Sequence, residues 1–291
     1  MAINEKLENG KLETYRRKMV GLAYRMIGTL DEAEDIAQEA LLKWVNSNQA
    51  EIQSPLAWLS KVTTRLALDY LKSAKVLRES YVGPWLPEPF IQDEKAPDFI
   101  YELDESISIA LLVILERLAP LERAAYILHD IFKYKHTEIA KIINQTPANS
   151  RQLVSRTRKK IKNTRAKYNS HPQEQRELIK AFFDAIKQGN ISQLHSVLSN
   201  HVKFYADGGG KAVAAKEIII SSNNVVAFIL EKLYPPLKIN EVRMNPVWFN
   251  GSPGVLMVLK GKPITAFSFL LEKQKIMAIY AIRNPDKLAR F

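Results

Sequence analysis

Residues 136–161 read HTEIAKIINQTPANSRQLVSRTRKKI, and the organisation of the whole chain is inferred outward from this stretch. Ile139, Ala140 and Ile143 have the spacing that places apolar side chains on one face of a short helix. Asn144 follows, and asparagine tolerates the left-handed backbone that a tight turn requires. A second helical pattern begins directly after it, so the stretch predicts a helix-turn-helix.

The second helix of this motif has the composition of a DNA reader. Thr146 is suited to cap it, with Pro147 at its first position. Arg and Gln side chains make bidentate contacts to guanine and adenine edges in the major groove, and a basic tail that runs to Lys167 suits phosphates. The alternative is a basic amphipathic helix of a bundle. The pattern places Ser150, Val154, Thr157 and Ile161 inward, and it assigns DNA contacts to Asn149, Arg151, Gln152, Ser155, Arg156, Arg158, Lys159 and Lys160.

The composition is that of a globular chain with more than one domain. It has 291 residues, 46% hydrophobic and 25% charged, whereas one domain usually has about 100–200 residues. The absence of cysteine excludes disulfides, cysteine-ligated zinc, iron–sulfur clusters and thiol catalysis. The longest apolar run, at 107–115, covers about half a membrane span, and the charged N-terminal segment has no signal-peptide core. We therefore expect a soluble, cytoplasmic protein without a membrane partner.

The charge is unevenly distributed along the chain. Lys and Arg number 42 against 31 Asp and Glu, a formal net charge of +11. Residues 133–167 contain eleven basic residues and one acid, whereas residues 79–105 contain eight acids and one base. A basic block beside an acidic block indicates that one segment touches nucleic acid and the other does not.

The pattern divides the chain into three parts and a linker. Two helical regions flank an irregular connector that contains four prolines among acids and aromatics. A third region begins with two helices and continues with short alternating runs, separated by Gly, Pro and Asn, that predict strands. Helices followed by strands indicate all-α domains and then an α+β domain. The predicted boundaries are 1–78, 79–105 (linker), 106–170 and 173–291, and the predicted strands are 201–205, 238–244, 254–260, 265–272 and 275–282.

The first helical region contains two helices with functional interest. One has an apolar stripe opposite an acidic face, which is either a solvated surface or a docking site for a basic partner; its N-terminal capping box pairs either Asp31 with Glu34 or Thr29 with Glu32. The stripe consists of Ala33, Ile36, Ala37, Ala40, Leu41 and Trp44, and the acidic face consists of Glu34, Asp35, Gln38 and Glu39.

The next helix is expected to start after Ser54-Pro55. An aromatic and basic outer face suits single-stranded nucleic acid, because bases stack on rings while cations follow phosphates. Trp58 is equally well explained as a core residue. The pattern places Leu56, Leu59, Val62, Leu66 and Tyr70 inward, and Trp58, Lys61, Arg65 and Lys72 outward.

In this order the segments resemble bacterial extracytoplasmic-function (ECF) sigma factors. Residues 17–45 (RKMVGLAYRMIGTLDEAEDIAQEALLKWV) are similar to the start of their σ2 domain, and residues 52–75 (IQSPLAWLSKVTTRLALDYLKSAK) to its promoter-melting and −10-reading part. Residues 115–161 are similar to σ4, which reads the −35 element. Asn144 stands where sigma factors usually have a turn glycine.

Three further motifs resemble one subgroup, the SigJ-like type. They are YVGPWLPEP at 81–89, DGGGK at 207–211 and NPDKL at 284–288. In this subgroup a SnoaL-like domain of the NTF2-like fold, a cone-shaped α+β barrel, follows σ4, and residues 178–211 resemble its opening.

The resemblance implies a dissociable specificity subunit of RNA polymerase. Core RNA polymerase, through the β′ clamp helices and the β subunit, and promoter DNA are the expected partners. Asp35, Gln38 and Glu39 would bind the clamp helices, and Trp58, Lys61 and Arg65, beside the loop 47–54, would hold melted −10 DNA. The helix-turn-helix residues named above would read the −35 element.

The resemblance also implies control within the chain, because the C-terminal domain of the subgroup is thought to replace a separate anti-sigma factor. The aromatic side chains of Tyr81, Trp85 and Phe90 in the linker would lose the favourable free energy of apolar burial if they stayed in water. We therefore expect the C-terminal domain to dock on the linker and on σ2. The residues assigned to this regulatory contact are Trp85, Pro87, Asp207, Gly208, Gly209, Gly210, Lys211, Asn284, Pro285 and Asp286.

An enzyme is the competing interpretation of the C-terminal domain, since NTF2-like domains include isomerases and cyclases with a pocket Asp or His. The candidates are Asp207, in a glycine-rich loop where Lys211 is placed to pair with it, His195 and His201. We expect no catalytic residue, metal or cofactor. The alternative is a DNA-binding regulator fused to an isomerase- or cyclase-type enzyme or to a ligand sensor. Phe228, Trp248, Phe267 and Phe269 suit either a pocket for an unidentified small molecule or the core.

Overall fold

The structure, a computed structural model, describes residues 2–91, 108–162, 172–233, 235 and 242–291. The predicted linker from 92 to 105, the basic tail from 163 to 167 and the predicted strand start at 238–241 lie outside the described residues. The chain divides into two compact units, which comprise 1–79, 94–106 and 112–164 (unit 1) and 80–93, 107–111 and 165–291 (unit 2). In the described part, no helix has the length and hydropathy of a membrane span.

The first half of unit 1 is built from α1 (Ala2–Ile27), α2 (Leu30–Val45) and α3 (Pro55–Glu79). The predicted apolar stripe of α2 is buried from Ala33 to Leu41, and Trp44 is half-buried. Neither predicted capping box forms. Thr29 is the N-cap, but its hydroxyl makes no capping hydrogen bond and has no partner among the described residues.

The buried face of α3 differs from the predicted one. Leu59 is buried as expected, but Leu56, Val62, Leu66 and Tyr70 are only half-buried. Small and hydroxyl-bearing residues replace them in the interior, because α1 and α2 pack closely against this side of the helix. The buried positions are Leu59, Ser60, Thr63, Thr64, Ala67, Leu71 and Ala74.

The second half of unit 1 contains the predicted helix-turn-helix. Asn144 adopts a φ of 53°, and the Thr146 hydroxyl caps the second helix by accepting a hydrogen bond of 3.1 Å from the Asn149 amide. All four residues predicted to face inward on that helix are buried. The elements are α4 (Ile109–Glu116), whose residues 109–111 are counted with unit 2, α5 (Pro120–Tyr126), a π-helical turn (Ile127–Ile131), α6 (His136–Ile142) and α7 (Pro147–Lys162).

In its described residues, unit 2 packs three α-helices against a six-stranded sheet. Its strand order is β2-β1-β6-β5-β4-β3; β1 and β6 are parallel, and the other neighbours are antiparallel. The core between helices and sheet is rich in phenylalanine, including Phe182, Phe183, Phe267 and Phe269. The helices are α8 (Pro172–Gln188), α9 (Ile191–Val197) and α10 (Ser222–Phe228). The strands are β1 (Leu198–Asp207), β2 (Ile219–Ile220), β3 (Val242–Phe249), β4 (Ser252–Leu259), β5 (Lys262–Glu272) and β6 (Lys275–Ile282).

Candidate functional site

The recognition helix α7 presents the predicted DNA-reading side chains to solvent. Arg151, Gln152, Ser155, Arg156 and Lys159 are exposed. Asn149 is half-buried, and its side-chain amide donates a hydrogen bond of 2.6 Å to Gln145. The burial of the opposite face fixes the rotation of α7, so these side chains project together from one surface.

Two of the predicted phosphate-contacting cations have carboxylate partners. Arg158 holds Asp130 through Nε at 2.9 Å and Nη2 at 2.5 Å, and this hydrogen bonding raises the pKa of Arg158. Lys160 donates to both oxygens of Glu122 at 2.8 Å. Lys162 belongs to the basic tail that the sequence predicts to contact phosphates, and its side chain lies outside the described residues. DNA contacts by Arg158 and Lys160 therefore require these ion pairs to be shared or broken.

A stacked pair of histidines packs against the start of the helix-turn-helix. The rings of His129 and His136 lie 4.2 Å apart at 27°, and Nδ1 of His136 is 3.1 Å from the Ser150 hydroxyl on α7. Burial lowers the pKa of His136; the charges of His129, Arg151 and Arg158 lower it further, and Asp130 opposes them. The contact joins α6 to α7 through a titratable group that the sequence pattern did not single out.

The acidic face of α2 is exposed at all three predicted polymerase-binding residues, Asp35, Gln38 and Glu39. Glu39 also forms an ion pair with Lys43 at 3.0 Å. Beyond this face, Leu42 and Val45 leave more than half of their surface in water. An acidic patch followed by exposed apolar side chains suits a partner that is basic and partly apolar.

The residues predicted to hold −10 DNA lie on α3, close to the helix-turn-helix. Trp58 and Lys61 are half-buried, while Arg65 is exposed and donates from Nε to the carbonyl of Ile142 at 3.4 Å. On the same helix, Ser60 accepts a hydrogen bond of 2.7 Å from the hydroxyl of Tyr134. Within unit 1, helix α3, which carries the predicted −10 residues, is thus joined by direct hydrogen bonds to residue 134, just before α6, and to residue 142, at its end.

Arg123 provides a buried connection between α5 and α1. It pairs with the carboxylate of Glu116 at 2.9 Å, donates to the Glu116 carbonyl at 2.9 Å and also donates to the carbonyl of Met26. Burial lowers the pKa of Arg123 to about 10. No feature of the sequence indicated this connection, because a lone arginine in an apolar helix has no recognisable spacing to its partners.

In unit 2, the linker segment 80–91 meets the C-terminal part of the chain at a buried carboxylate. Asp207 is fully buried, and its side chain accepts hydrogen bonds from the Tyr81 hydroxyl (2.5 Å), the Leu86 amide (2.8 Å) and the Lys287 ammonium (2.7 Å). Asn284 donates to the Tyr81 hydroxyl at 3.0 Å. We call this group, with Trp85, the linker cluster: Tyr81, Trp85, Leu86, Asp207, Asn284 and Lys287.

Lys287 holds the centre of the linker cluster. Besides Asp207, its ammonium contacts the Leu86 carbonyl and lies 4.2 Å from the ring centre of Trp85 and 5.3 Å from that of Tyr81. An ammonium between two aromatic faces and a carboxylate retains favourable electrostatic partners when it leaves water. Burial and the hydrogen bond to Asp207 raise the pKa of the Tyr81 hydroxyl.

Two predictions about Asp207 are wrong. It ends strand β1 instead of lying in the glycine-rich loop, because its backbone continues the pairing with β6 to Ile282. Lys211 does not pair with it; Lys211 pairs with Asp286 at 2.5 Å on the surface. The loop that follows is still constrained by the linker. Gly209 has a φ of 59°, and a Cβ there would lie 2.3 Å from Asn284 and 3.0 Å from the Tyr81 hydroxyl.

The linker is held at a second place farther along the segment. Phe90 and Asn250 exchange hydrogen bonds of 3.2 Å, and Ile91 forms an antiparallel bridge with Phe249 of β3. Between these two places Pro87 is buried. Of the other regulatory candidates, Gly208 is buried, whereas Gly210, Pro285 and Asp286 are exposed.

The enzyme candidates do not assemble into one site. Nδ1 of His195 is 2.7 Å from the Ser222 hydroxyl, His201 is exposed, and the carboxylate oxygens of Asp207 are occupied by the linker cluster. Among the described residues, no group of three His, Asp or Glu is placed to hold a metal ion. Of the four aromatics considered for a pocket, Trp248 lines a cavity of about 530 Å³, whereas Phe267 and Phe269 are buried in the core and Phe228 packs against Phe204.

Known proteins resemble the chain in sequence and in structure. Residues 12–76 match the family described as Sigma-70 region 2, and residues 108–161 match Sigma-70, region 4. The ECF RNA polymerase sigma factor SigJ of Mycobacterium tuberculosis is 36% identical, over 97% of this chain and 93% of that protein. The probable ECF sigma factor SigI of the same organism is 31% identical, over 94% and 92%. The crystal structure of SigJ covers 96% of this chain and 98% of its own, with a TM-score of 0.79 and 32% identity.

Proposed function

The chain belongs to the extracytoplasmic-function sigma factors of bacterial RNA polymerase, and we propose that its own C-terminal domain controls its activity by holding the linker that follows α3. Sigma factors bind core RNA polymerase and direct transcription from specific promoters. The observation that carries the proposal of control is the linker cluster, because it ties Tyr81 and Leu86 to residues more than 120 positions later.

For the polymerase, we propose that Asp35, Gln38 and Glu39 bind the β′ clamp helices and that further contacts reach the β subunit. The exposure of these three side chains on a well-anchored helix supports this assignment. We propose a cytoplasmic location, because a sigma factor acts together with core polymerase and promoter DNA.

For the promoter, we propose that α7 reads the −35 element and that Trp58, Lys61 and Arg65 hold melted −10 DNA. Exposed Arg151, Gln152 and their neighbours support the first assignment. Arg65 also contacts the carbonyl of Ile142, so its guanidinium must share or give up this hydrogen bond when it binds DNA.

For the C-terminal domain, we propose a regulatory and not an enzymatic role, with an unidentified small molecule as a further partner. A general base needs a carboxylate or imidazole within reach of substrate. Asp207 instead uses its two oxygens for Tyr81, Leu86 and Lys287, which favours a structural contact.

The test is run-off transcription with core polymerase and the full-length chain. Asp207→Asn and Trp85→Ala disturb the linker cluster, whereas Lys211→Ala removes a surface ion pair of the same domain and serves as the matched control. We expect both cluster variants to change the transcript yield from a cognate promoter at least several-fold, while the control transcribes like wild type.

The same variants are assayed for binding of the −35 element, which should stay unchanged because α7 lies in unit 1. Equal transcript yields from all four proteins would refute control through the linker. No promoter-specific transcript from any of them, on promoters selected from a genomic library, would refute the sigma-factor function itself.

A further inference from the structure

A cavity of about 530 Å³ opens in unit 2 between α8 and the hairpin of β3 and β4. Its walls come from one face of α8, including Ile179 and Phe183, and from residues 244, 246–248 and 253–255 of the two strands. Cavities of about 300–1,000 Å³ with mostly apolar walls are the usual sites for small organic ligands. All of its lining residues lie outside the linker cluster.

The sequence of the hairpin keeps this space open. Pro246 and Pro253 line it, and the rings of these residues leave no long side chain to fill the gap. Gly254 lies against the next strand, where a Cβ would come within 2.5 Å of the Phe267 carbonyl and 2.6 Å of the Phe249 ring. The close approach of β4 to its neighbours therefore requires a residue without a side chain at the cavity wall.

The cavity combines an aromatic wall with a basic rim. Arg176 lies over the ring of Trp248, with its guanidinium carbon 5.0 Å from the ring centre. Among the described lining residues, Arg176, Lys180 and Lys187 carry positive charge, and Asp184 carries negative charge. Residues 176 and 180 are one helical turn apart, so their side chains share one face of α8.

We propose that this cavity binds an amphipathic organic anion, with the carboxylate on Arg176 and Lys180 and the apolar body against Trp248 and Val247. The inference deepens the proposal of a small-molecule partner and rests on it. A planar guanidinium can hold a carboxylate with two parallel hydrogen bonds, and its position over an indole ring restricts its motion before binding. Among the described lining residues, a cationic ligand of the same shape would meet three like charges against the one carboxylate of Asp184.

The experiment uses the full-length chain and three probes with unbranched alkyl chains of similar length: decanoate, decanol and decyltrimethylammonium. Isothermal titration calorimetry should show saturable decanoate binding at one site, at least ten-fold tighter than binding of the ammonium probe. The indole fluorescence should change on addition of decanoate, and Trp248→Phe should remove that change although three other tryptophans remain.

Two variants locate the site. Arg176→Gln should weaken decanoate binding about ten-fold while leaving decanol binding unchanged, and Val247→Trp, which fills the cavity, should abolish binding of both. Lys203→Gln is the matched control, because Lys203 is an exposed cation on β1, four strands away from β3. It should bind decanoate like wild type.

Three results would overturn the inference: no saturable decanoate binding, equal affinity for the ammonium probe, or unchanged binding in both Arg176→Gln and Val247→Trp. These outcomes are distinguishable from failure of the proposed function, which is measured by transcription with the linker-cluster variants. If decanoate fails to bind but Asp207→Asn still alters transcript yield, only the ligand assignment falls.

Discussion

Asp207 and Lys287 form an ion pair whose side chains are 0% and 8% exposed, whereas the side chains of Asp286 and Lys211 remain 61% and 57% exposed. The same two residue types thus occur in the same domain in opposite environments. Removing one partner of a buried pair leaves an uncompensated charge out of water, whereas a surface pair exchanges its partner for solvent. Comparing the two ion pairs therefore shows how burial changes the effect of an Asp–Lys pair on the free energy of unfolding.

The first prediction follows from this comparison. Asp207→Asn should lower the free energy of unfolding of unit 2 by about 3–5 kcal/mol, because Lys287 then lacks its counter-ion. Lys211→Ala should change it by less than about 1 kcal/mol. Urea denaturation measures both changes, with the fluorescence of Trp85 as the signal. The substitutions Trp44→Phe, Trp58→Phe and Trp248→Phe in every variant make Trp85 the source of the tryptophan signal. Similar small losses in the two variants would show that the linker cluster contributes little to folding.

For individual residues, the sequence predicted which ones take part in the linker contact better than it predicted which side chains contact each other. Asp207 and the NPDKL motif were identified, but Lys211, four positions away, was chosen as the partner in place of Lys287. Nearness in sequence is a weak guide, because the parallel pairing of β1 with β6 brings residue 207 beside residue 282. Only the register of that pairing places Lys287 at the carboxylate.

Among the elements, α7 has the most direct consequence for DNA. Arg151→Ala should weaken binding to the cognate −35 element by about 1–3 kcal/mol and relax the preference at one base pair. Lys160→Ala should weaken binding to every sequence similarly, and less strongly, because Lys160 already has Glu122 as a partner. Electrophoretic mobility shifts on cognate and single-substituted elements distinguish the two. Unchanged base discrimination in Arg151→Ala would mean that another face of α7 reads the bases.

The contact of His136 on α6 with Ser150 on α7 should make this half of unit 1 sensitive to acid. The pKa of His136 is lowered from 6.5 in the folded protein, chiefly by burial and then by the charges of His129, Arg151 and Arg158, against the opposing charge of Asp130. On acidification the unfolded chain therefore takes up its proton first. The stability that neutral His136 contributes is complete above pH 6.5 and is lost as the pH falls towards the folded pKa.

His136→Gln should accordingly reduce the loss of stability between neutral pH and pH 5. Thermal unfolding of the full chain across this range measures it, and His201→Gln, at an exposed position on β1, is the control. An NMR titration of His136 provides a direct check. A folded pKa at or above the ordinary value would contradict the prediction.

The sequence largely predicted where the helices and turns lie, and it predicted less well which side of a helix is buried. Caps and turns that depend on neighbouring residues, such as Thr146, Pro147 and Asn144, lie where the sequence placed them. The prediction of the buried side of α3 was wrong. Several of its large apolar residues are only half-buried, whereas closely packed helices cover the smaller residues Ser60, Thr63 and Ala67. The two-residue strand β2 is too short to leave a periodic pattern.

For the whole molecule, the fold class was predicted correctly: helical σ2 and σ4 domains followed by an α+β NTF2-like domain. The assignment of the linker was less complete. The segment 80–93 belongs to unit 2, although it precedes the rest of that unit by many residues. Composition identifies such a segment as irregular, but it cannot show that distant residues supply its hydrogen-bonding partners.

Assembly with polymerase is the property that requires the whole chain. Reversing the charge at Asp35 and Glu39, both to Lys, should abolish association with core polymerase and leave the unfolding temperature within a few degrees, because both side chains are exposed. Asp69→Lys, on exposed α3 surface, is the control for added charge. Size-exclusion chromatography with core polymerase at moderate salt measures both. Co-elution of the charge-reversed variant would place the polymerase contact elsewhere.

The linker cluster can form only late in synthesis, because its residues are far apart in the sequence. Lys287 follows Leu86 by 201 residues, so a ribosome that adds roughly 5–20 residues per second needs about 10–40 s to pass from one to the other. In the later part of that interval, after residue 162 has been added, a nascent chain contains both segments proposed to bind the promoter but lacks the lysine that completes the cluster. Under the proposed control, a newly made molecule becomes regulated only after residue 287 has been added, and translation speed sets how long the unregulated period lasts.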